Sequence, residues 1–355
     1  MANHNQYNPD YAIHPGEYLE EILETRNMKK QDFAERCGIS IKTVSQILNQ
    51  KALFSSDIAM RFEKVLGVNA NILMNLNTQY QMYESRIKDK IDLESKEEWI
   101  KKFPQKELIK NNIIPEKKNI SDQANALLDF FNVSSPKVWD DYYVKKSVSF
   151  RKSAAFKSSL ISTATWVRIG EKNAEDIECA IFDKELFKEN LKKIRNLTTK
   201  SPEIFIPQMK ELCCNSGVVL VFVPELKNIH ISGVTEWISS EKALIIMSLR
   251  YKSNDHFWFT FFHESGHIVL HKKKEVFIDT KDNIHSDYEI EANNFARKAL
   301  INQTIYKKFL KKRSFYKEDI IKFSENNNIA PGIMNSELSK LSPQRMTETS
   351  SFAHI

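Results

Sequence analysis

The sequence predicts a mainly helical α+β protein made of several domains. Its 355 residues correspond to roughly two to three domains of ordinary size. Helix-patterned segments such as DQANALLDFF occupy most of the chain, whereas three short β-branched segments, GVVLVFVPEL, IHISGVTEWI and KALIIMSL, follow residue 201. Turn signals separate these three segments, which predicts a small three-stranded antiparallel sheet with helices before and after it.

Changes in composition divide the chain into five parts. Residues 1–12 and 341–355 are polar and are predicted to be flexible tails. Residues 13–83 are predicted to form a compact domain of the five-helix type. Residues 84–200, which lack glycine and proline over long stretches, are predicted to form a helical middle region. Residues 201–340 carry the predicted sheet and the helices around it.

Composition argues against a membrane or secreted protein. The longest apolar runs, GVVLVFV and FWFTFF, are far shorter than the roughly 20 residues of a membrane-spanning helix. The N-terminus lacks the apolar core of a secretory signal. Four cysteines do not suggest a disulfide framework in a chain of this length, and the adjacent Cys213 and Cys214 are expected to be buried thiols rather than zinc ligands. We therefore expect a cytoplasmic protein.

Net charge does not by itself predict nucleic-acid binding. The chain has a formal charge of +6, but residues 1–83 hold 8 Lys and Arg against 9 Asp and Glu. Bulk attraction to phosphate is therefore not implied for this segment. Any DNA contact has to come from the local placement of side chains.

The stretch KKQDFAERCGISIKTVSQILN has the spacing of two helices joined by a tight turn. Ala34 is small enough for a close helix crossing, and Gly38 follows where the turn needs a positive φ. Ser40 can cap the next helix, and Val44 would pack that helix back on the first. The residues expected to face bases and phosphates are Ser40, Lys42, Thr43, Ser45 and Gln46. An ordinary helical bundle with a solvated polar face is the alternative.

The wider segment from HPGEYLEEIL to NLNTQYQM resembles the XRE-type helix-turn-helix of HigA-like antitoxins over its whole length. The resemblance includes the leading His14-Pro15-Gly16 and the closing NLNTQY. It implies a domain that binds double-stranded operator DNA in a sequence-specific way, usually as a homodimer and often to regulate its own expression. Lys30 departs from the pattern, because glutamine is frequent at that position.

A second motif, HESGH at residues 263–267, places two histidines four residues apart on a predicted helix. His263 and His267 would leave the same helix face about one turn apart, which suits two ligands of a tetrahedral Zn²⁺. Glu264 could then act as general base on a zinc-activated water and deliver the proton to a leaving amine. The preceding strands would offer an edge for a peptide substrate. The alternative is a pair of surface histidines on a solvated helix.

A third ligand is expected downstream, where DYEIEANNFARKAL offers Glu289 and Glu291 on a helical pattern. His271 extends the histidine series, but three ligands at i, i+4 and i+8 would spread over about 12 Å of helix, too far for one metal. His271 is therefore expected to support the site or the fold. Residues that could donate to a reacting oxygen, and that the sequence cannot rank, are His285, Tyr288 and Tyr306. His285 could alternatively replace the third ligand.

FTFFHESGH followed by EIEANNFA looks like the ImmA/IrrE family of zinc metallopeptidases, and the resemblance covers roughly residues 200–335. It implies that His263 and His267 bind zinc and that Glu264 is the catalytic glutamate. The glutamate directly before Ala-Asn matches the third ligand, which selects Glu291. The segment RKALIN replaces a Leu-Leu-Met-Pro-like ending, so the border of the substrate cleft is expected to differ.

Together these resemblances imply a DNA-binding transcriptional regulator that carries a zinc endopeptidase. Peptidases of the family characteristically cleave a repressor or antitoxin of the helix-turn-helix type, and a protein of that kind is the expected substrate or partner. The alternative is an antitoxin-like DNA-binding regulator whose metallopeptidase-like domain is a non-catalytic partner-binding or metal-sensing module.

Overall fold

The computed structural model describes residues 11–150, 160–227, 229, 231–248, 253–271, 277–278, 287–311 and 315–341. Nearly all of the two predicted tails therefore lies outside the described residues. The chain divides into two compact units, and each is described by itself. One comprises Met1–Glu97 and Lys117–Ala124, and the other comprises Glu98–Glu116 and Asn125–Ile355.

Helices dominate both units, and the predicted mainly helical α+β class is confirmed. Along the first unit run α1 (Pro15–Thr25), α2 (Lys30–Cys37), α3 (Ile41–Leu48), α4 (Ser56–Leu66) and α5 (Ala70–Glu94). The later helices are α6 (Glu97–Lys101), α7 (Gln105–Lys110), α8 (Ile120–Phe131), α9 (Pro136–Phe150), α10 (Leu160–Glu175), α11 (Lys184–Arg195), α12 (Pro202–Cys214), α13 (Asn254–Leu270), α14 (Asp287–Leu300), α15 (Gln303–Phe309), α16 (Lys317–Asn326) and α17 (Pro331–Leu341). Across the described residues, none of these helices has the length and apolar character to cross a membrane.

The helices of the first unit pack their apolar faces around one core. Its members, all nearly inaccessible to solvent, include Leu19, Phe33, Val44, Phe62 and Leu73. Asn77 is a buried polar exception, and its side-chain amide donates a 2.7 Å hydrogen bond to the carbonyl of Phe54. This bond satisfies the amide N–H inside the core and ties α5 to the loop before α4.

The His14-Pro15-Gly16 motif at the start of α1 also contacts α3 and α5. His14 caps α1, because its Nδ1 accepts a 2.9 Å hydrogen bond from the backbone N–H of Gly16, and Pro15 occupies the first helical position. A side chain on Gly16 would collide with the carbonyl of Ile47 on α3. The His14 ring also meets Tyr80 of α5 edge-on, with 4.6 Å between ring centroids. The motif therefore fixes α1 against both α3 and α5.

The predicted boundary between residues 83 and 84 falls inside α5, which continues to Glu94. The predicted middle region, residues 84–200, contributes to both compact units. The domain limits drawn from the sequence remain predictions.

Four strands of the second unit form one mixed sheet in the order β1-β3-β2-β4. They are β1 (Val218–Val223), β2 (Gly233–Ser239), β3 (Lys242–Ser248) and β4 (Phe277–Ile278). β2 pairs antiparallel with both β3 and β4, but β1 pairs parallel with β3. The predicted all-antiparallel arrangement is therefore wrong. Two parallel neighbouring strands need a long connection between them. Here β2 and its flanking loops form the connection from β1 to β3.

Helices cover both faces of this sheet, which explains why β1 and β3 are apolar without alternation. In β3, Ile246 faces α10, where Gly170 leaves room for it. Its neighbour Ile245 faces the other side and lies opposite Thr235 of β2. Thr235 contacts Glu264 of α13 on that side. The strands therefore hold α13 against one face of the sheet at a defined register.

The cysteines agree only in part with expectation. Cys213 is a buried free thiol, as expected, and Cys37 is another. Cys214 instead forms a disulfide with Cys179, with Cα atoms 4.8 Å apart. The expectation that Cys214 is a buried thiol is therefore wrong, because the segment after α10 folds back along the C-terminal end of α12. There the backbone N–H of Ala180 donates to the carbonyl of Cys214.

Candidate metal centre and nucleic-acid interface

The helix α13 is buried on almost every side, and it carries the HESGH motif into the interior of the second unit. His263, Glu264 and His267 each expose 1% or less of their surface. The aromatic residues before the motif, among them Trp258 and Phe261, belong to the core of the unit. A helix that is apolar all round is a core helix, so the alternative of surface histidines on a solvated helix does not hold.

Two histidines and a carboxylate converge beside this helix. The Nε2 atoms of His263 and His267 lie 3.1 Å apart. The carboxylate oxygens of Glu289, on α14, lie 3.1 Å from Nε2 of His263 and 3.5 Å from Nε2 of His267. These three residues form the one cluster of possible metal ligands found among the described residues.

The structure places Glu289, and not Glu291, beside the two histidines. Glu289 is 6% exposed, whereas the Glu291 side chain is 59% exposed and lies 3.2 Å from Nε2 of His271. Residues two positions apart on an α-helix point in directions that differ by about 200°. Glu289 and Glu291 therefore cannot both face His263 and His267. The structure therefore brings Glu289, and not the expected Glu291, into the candidate metal cluster. The position directly before Ala-Asn does not determine which glutamate faces inward.

The donor atoms of this cluster fit a zinc ion. Two imidazole nitrogens and one carboxylate are a common zinc ligand set, and bonds of about 2.0–2.2 Å hold tetrahedral ligand atoms roughly 3.3–3.6 Å apart. Burial, together with the nearby His263 and His271, lowers the pKa of His267 to about 2. His267 is therefore neutral at physiological pH, which is the form of imidazole that binds metals.

Close packing between α13 and α14 brings these residues together. Gly266, inside the HESGH motif, faces Ala292, and a Cβ at Gly266 would lie 3.2 Å from the Ala292 Cα. Small residues on both helices thus allow their backbones to approach closely. Gly266 therefore allows α14 to pack close enough to α13 for Glu289 to reach the two histidines.

Glu264 lies on the side of α13 that faces the sheet. The hydroxyl of Thr235 lies 2.6 Å from Oε2 of Glu264 and 3.0 Å from its backbone carbonyl. Gly233 provides the space for this carboxylate, because a Cβ there would lie 2.7 Å from Oε1. The carboxylate is therefore held by β2 next to the histidine cluster.

The edge of β2 beside Thr235 is already paired. Phe277 of β4 lies opposite Thr235, and Ile278 lies opposite Val234. The expectation that a peptide could add to the sheet edge is therefore not met at Val234 and Thr235, because a short strand of the chain itself occupies that position.

Three residues of the site were missed in the sequence: Gly233, Thr235 and Asn293. Asn293 lies one turn after Glu289 on α14, and its Oδ1 is 3.1 Å from Nδ1 of His263. The i, i+4 spacing from Glu289 could have indicated this position. Nothing in the local sequence indicates Gly233 or Thr235, because their contacts depend on how β2 packs against α13.

The candidate donors from the sequence have different surroundings. The Tyr288 ring packs edge-on against His271, with centroids 4.7 Å apart. Tyr306 lies in the hydrophobic core, where burial, with a contribution from the nearby carboxylate of Glu337, raises its pKa to about 12. His285 lies outside the described residues.

In the first unit, α2 and α3 form the expected helix pair. Gly38 ends α2 with a φ of 64°, and Ser40 caps α3 by accepting a 3.0 Å hydrogen bond from the N–H of Thr43. Val44 is buried in the core of the unit. Of the residues expected to contact DNA, Ser40, Lys42 and Gln46 are exposed, and Thr43 and Ser45 are half-buried.

Two side chains near α3 have partners within the unit. Asn49 donates a 3.1 Å hydrogen bond to the hydroxyl of Ser45. Lys30, the departure noted in the sequence, forms a 2.7 Å ion pair with Glu20. The long polar side chains exposed on α3 are Lys42 and Gln46.

These two sites define a protein that joins an N-terminal helix-turn-helix domain to a metallopeptidase-like domain. Residues 19–73 match the family model described as helix-turn-helix, and residues 214–330 match the IrrE N-terminal-like domain of peptidase family M78. The chain thus combines an XRE-type helix-turn-helix domain with an ImmA/IrrE-type domain, as the sequence resemblances predicted.

Two similar proteins each match about a quarter of the chain or less. The uncharacterized HTH-type transcriptional regulator YddM of Escherichia coli K12 is 27% identical over 85 residues, which are 24% of this chain and 82% of that protein. The virulence-associated protein I of Dichelobacter nodosus is 29% identical over 72 residues, 20% of this chain and 67% of that protein.

Two solved structures cover a similar share of the chain. One is a protein assigned as an antidote of a plasmid maintenance system from Nostoc punctiforme, with 30% identity, a TM-score of 0.23, and coverage of 24% of this chain and 92% of the other. The second is an addiction module antidote of the HigA family from Coxiella burnetii, with 30% identity, a TM-score of 0.22, and coverage of 23% and 91%.

Proposed function

We propose that the chain is a DNA-binding transcriptional regulator whose C-terminal domain is a zinc-dependent endopeptidase. The observation that carries this proposal is the buried cluster of His263, His267 and Glu289 beside the equally buried Glu264. Burying two imidazoles and two carboxylates has a desolvation cost that a fold built only for stability would avoid. A site of this composition favours a functional role.

In this proposal His263, His267 and Glu289 hold zinc, and Glu264 acts as general base. Zinc bound there supplies a Lewis acid for peptide hydrolysis. Glu264 takes a proton from the attacking water and delivers it to the leaving amine. The hydroxyl of Thr235 donates to Oε2 of Glu264 and so keeps the carboxylate in one orientation during both transfers.

The helix-turn-helix domain supports the second part of the proposal. We infer that α3 enters the major groove of operator DNA and that the chain binds as a homodimer, because a two-fold protein matches two operator half-sites. The residues proposed to contact DNA are Ser40, Lys42, Thr43, Ser45 and Gln46. The proposed substrate is a repressor or antitoxin of the helix-turn-helix type, because the peptidase family resembled by this chain acts on such proteins.

Metal content tests the proposed site directly. Full-length protein purified without added metal should contain about one zinc per chain by mass spectrometry. Glu289→Ala should lose most of this zinc, whereas Glu325→Ala, which removes an exposed carboxylate from α16, should retain it. A wild type that contains no zinc, even after zinc is added back, would refute the proposed metal site.

Proteolysis is tested separately. Cells that produce the wild-type chain are compared with cells that produce Glu264→Gln, and new protein N-termini are identified by terminal labelling and mass spectrometry. Cleavages present only with the wild type, within a DNA-binding repressor or antitoxin, would support the proposed activity. If both strains regulate the operator equally and show the same N-termini, the C-terminal domain is a non-catalytic module.

A further inference from the structure

His271 is buried beside the candidate metal cluster but is not one of its three residues. It follows the last residue of α13 with extended backbone angles, φ −104° and ψ 168°, yet only 1% of its side chain is exposed. Its Nδ1 lies 3.0 Å from Nδ1 of His267, and its Nε2 lies 3.2 Å from a carboxylate oxygen of Glu291. The ring therefore bridges a proposed zinc ligand and a surface carboxylate.

These contacts determine which nitrogen of each ring carries the proton. An ionised carboxylate only accepts hydrogen bonds, so the Nε2 of His271 carries the proton and donates it to Glu291. In a neutral His271 the Nδ1 is then the acceptor, and the Nδ1 of His267 has to be the donor. This leaves the Nε2 of His267 without a proton, on the side that faces His263 and Glu289.

We propose that His271 and Glu291 form a hydrogen-bond relay that holds His267 in the tautomer with an unprotonated Nε2. Both are positioning residues, and the inference rests on the metal site proposed above. His263 has an analogous arrangement, because its Nδ1 lies 3.1 Å from the amide oxygen of Asn293. The helix α14 therefore orients both histidines, one directly through Asn293 and the other through His271.

The relay predicts a specific order of zinc affinities in the full-length chain. Partners of this kind commonly change metal affinity by about 10–100-fold. His271→Ala removes the acceptor for His267 and should weaken zinc binding by that amount. In His271→Asn the side-chain oxygen can occupy the place of Nδ1, so this variant should recover most of the affinity. Glu291→Ala should have a smaller effect, because it removes only the terminal acceptor.

The test uses Zn²⁺ titrations of each variant in competition with a chelating indicator. Nitrogen-15 NMR of the histidine side chains provides a second measurement, because it reports which ring nitrogen of His267 carries the proton. We expect the proton on Nδ1 in the wild type and in His271→Asn, and a mixture of tautomers in His271→Ala. A purely structural role of His271 would leave the His267 tautomer unchanged and would give no recovery in the asparagine variant.

The outcomes separate this inference from the proposed function. If the wild type binds no zinc, the metal site itself is refuted. If the wild type binds zinc, and His271→Ala binds it equally tightly with the same His267 tautomer, the relay is refuted while the metal site stands. Should His271→Ala fail to fold, the wild type decides, because a His267 proton on Nε2 instead of Nδ1 in the zinc-free protein would refute the relay.

Discussion

The hydroxyl of Thr235 lies 2.6 Å from the carboxylate of Glu264 and links the sheet to the proposed general base. Thr235 lies opposite Ile245 in the β2–β3 register and is 1% exposed. A hydrogen bond to a charged group is stronger than one between neutral groups, and here it is formed in the protein interior. The register of a buried strand therefore sets the orientation of the proposed catalytic side chain.

Replacement of Thr235 tests this relationship. Thr235→Val keeps the β-branched shape but removes the hydroxyl, so a bond worth about 1.5–3 kcal/mol is lost. We expect unchanged zinc content and a roughly 10- to 100-fold slower cleavage of the substrate identified by terminal labelling. Thr235→Ser, which retains a hydroxyl, is the matched control and should be closer to wild type. Equal cleavage by wild type and Thr235→Val would show that the bond does not orient Glu264.

Sequence patterns predicted the residue types of the candidate metal site better than their spatial arrangement. The i, i+4 spacing of His263 and His267 is a property of one helix, so it could be predicted without knowledge of the fold. The choice between Glu289 and Glu291 depends on the rotation of α14 relative to α13, which local sequence does not determine. The parallel pairing of β1 with β3 has the same cause, because it depends on how the chain crosses the sheet and not on the strands themselves.

The helix-turn-helix was more predictable because its determinants are local. Gly38 adopts the positive φ expected of it, and Ser40 caps α3. Both features involve residues within a few positions of each other. The role of Gly16 was not predictable, because it depends on contact with the carbonyl of Ile47 from a different helix.

Two exposed residues of α3 should affect DNA binding in different ways. Lys42→Ala should weaken binding to all duplexes and reduce the slope of log affinity against log salt by about 1, because a phosphate contact is lost. Gln46→Ala should weaken binding to the selected operator by about 1–3 kcal/mol and relax preference at one base position, because a base contact is lost.

Fluorescence anisotropy over a range of KCl concentrations measures both effects, using a duplex selected from a random library by the wild-type chain. Lys88→Ala is the matched control, because it removes the same charge from an exposed position on α5. If Lys42→Ala and Lys88→Ala change affinity and salt dependence equally, α3 does not face the phosphates.

Removal of the disulfide should destabilise the second unit. The bond between Cys179 and Cys214 spans 35 residues, and closing a loop of this size typically stabilises a protein by about 2–4 kcal/mol. Cys179→Ser should therefore lower the free energy of unfolding by about that amount. Thermal unfolding with and without reductant provides the comparison, since reductant should destabilise the wild type but not Cys179→Ser. A wild type that is unaffected by reductant would contradict the prediction, and Cys37→Ser controls for loss of a thiol.

Acid should weaken the first unit through His14. Burial lowers the pKa of His14 from 6.5, although the carboxylates of Glu84 and Glu17 raise it in part. Because the folded-state pKa lies below the unfolded-state pKa, the unfolded chain binds the proton more readily. The stability of the unit should therefore fall as pH decreases below about 6.5 and should level off above it.

His14→Asn retains an N-cap residue that does not titrate, so it should remove this dependence. Hydrogen exchange of α1 and α5 amides in the full-length chain, corrected for the intrinsic effect of pH, measures the change, with the exposed His256→Asn as control. Identical pH profiles for wild type and His14→Asn would show that another group is responsible.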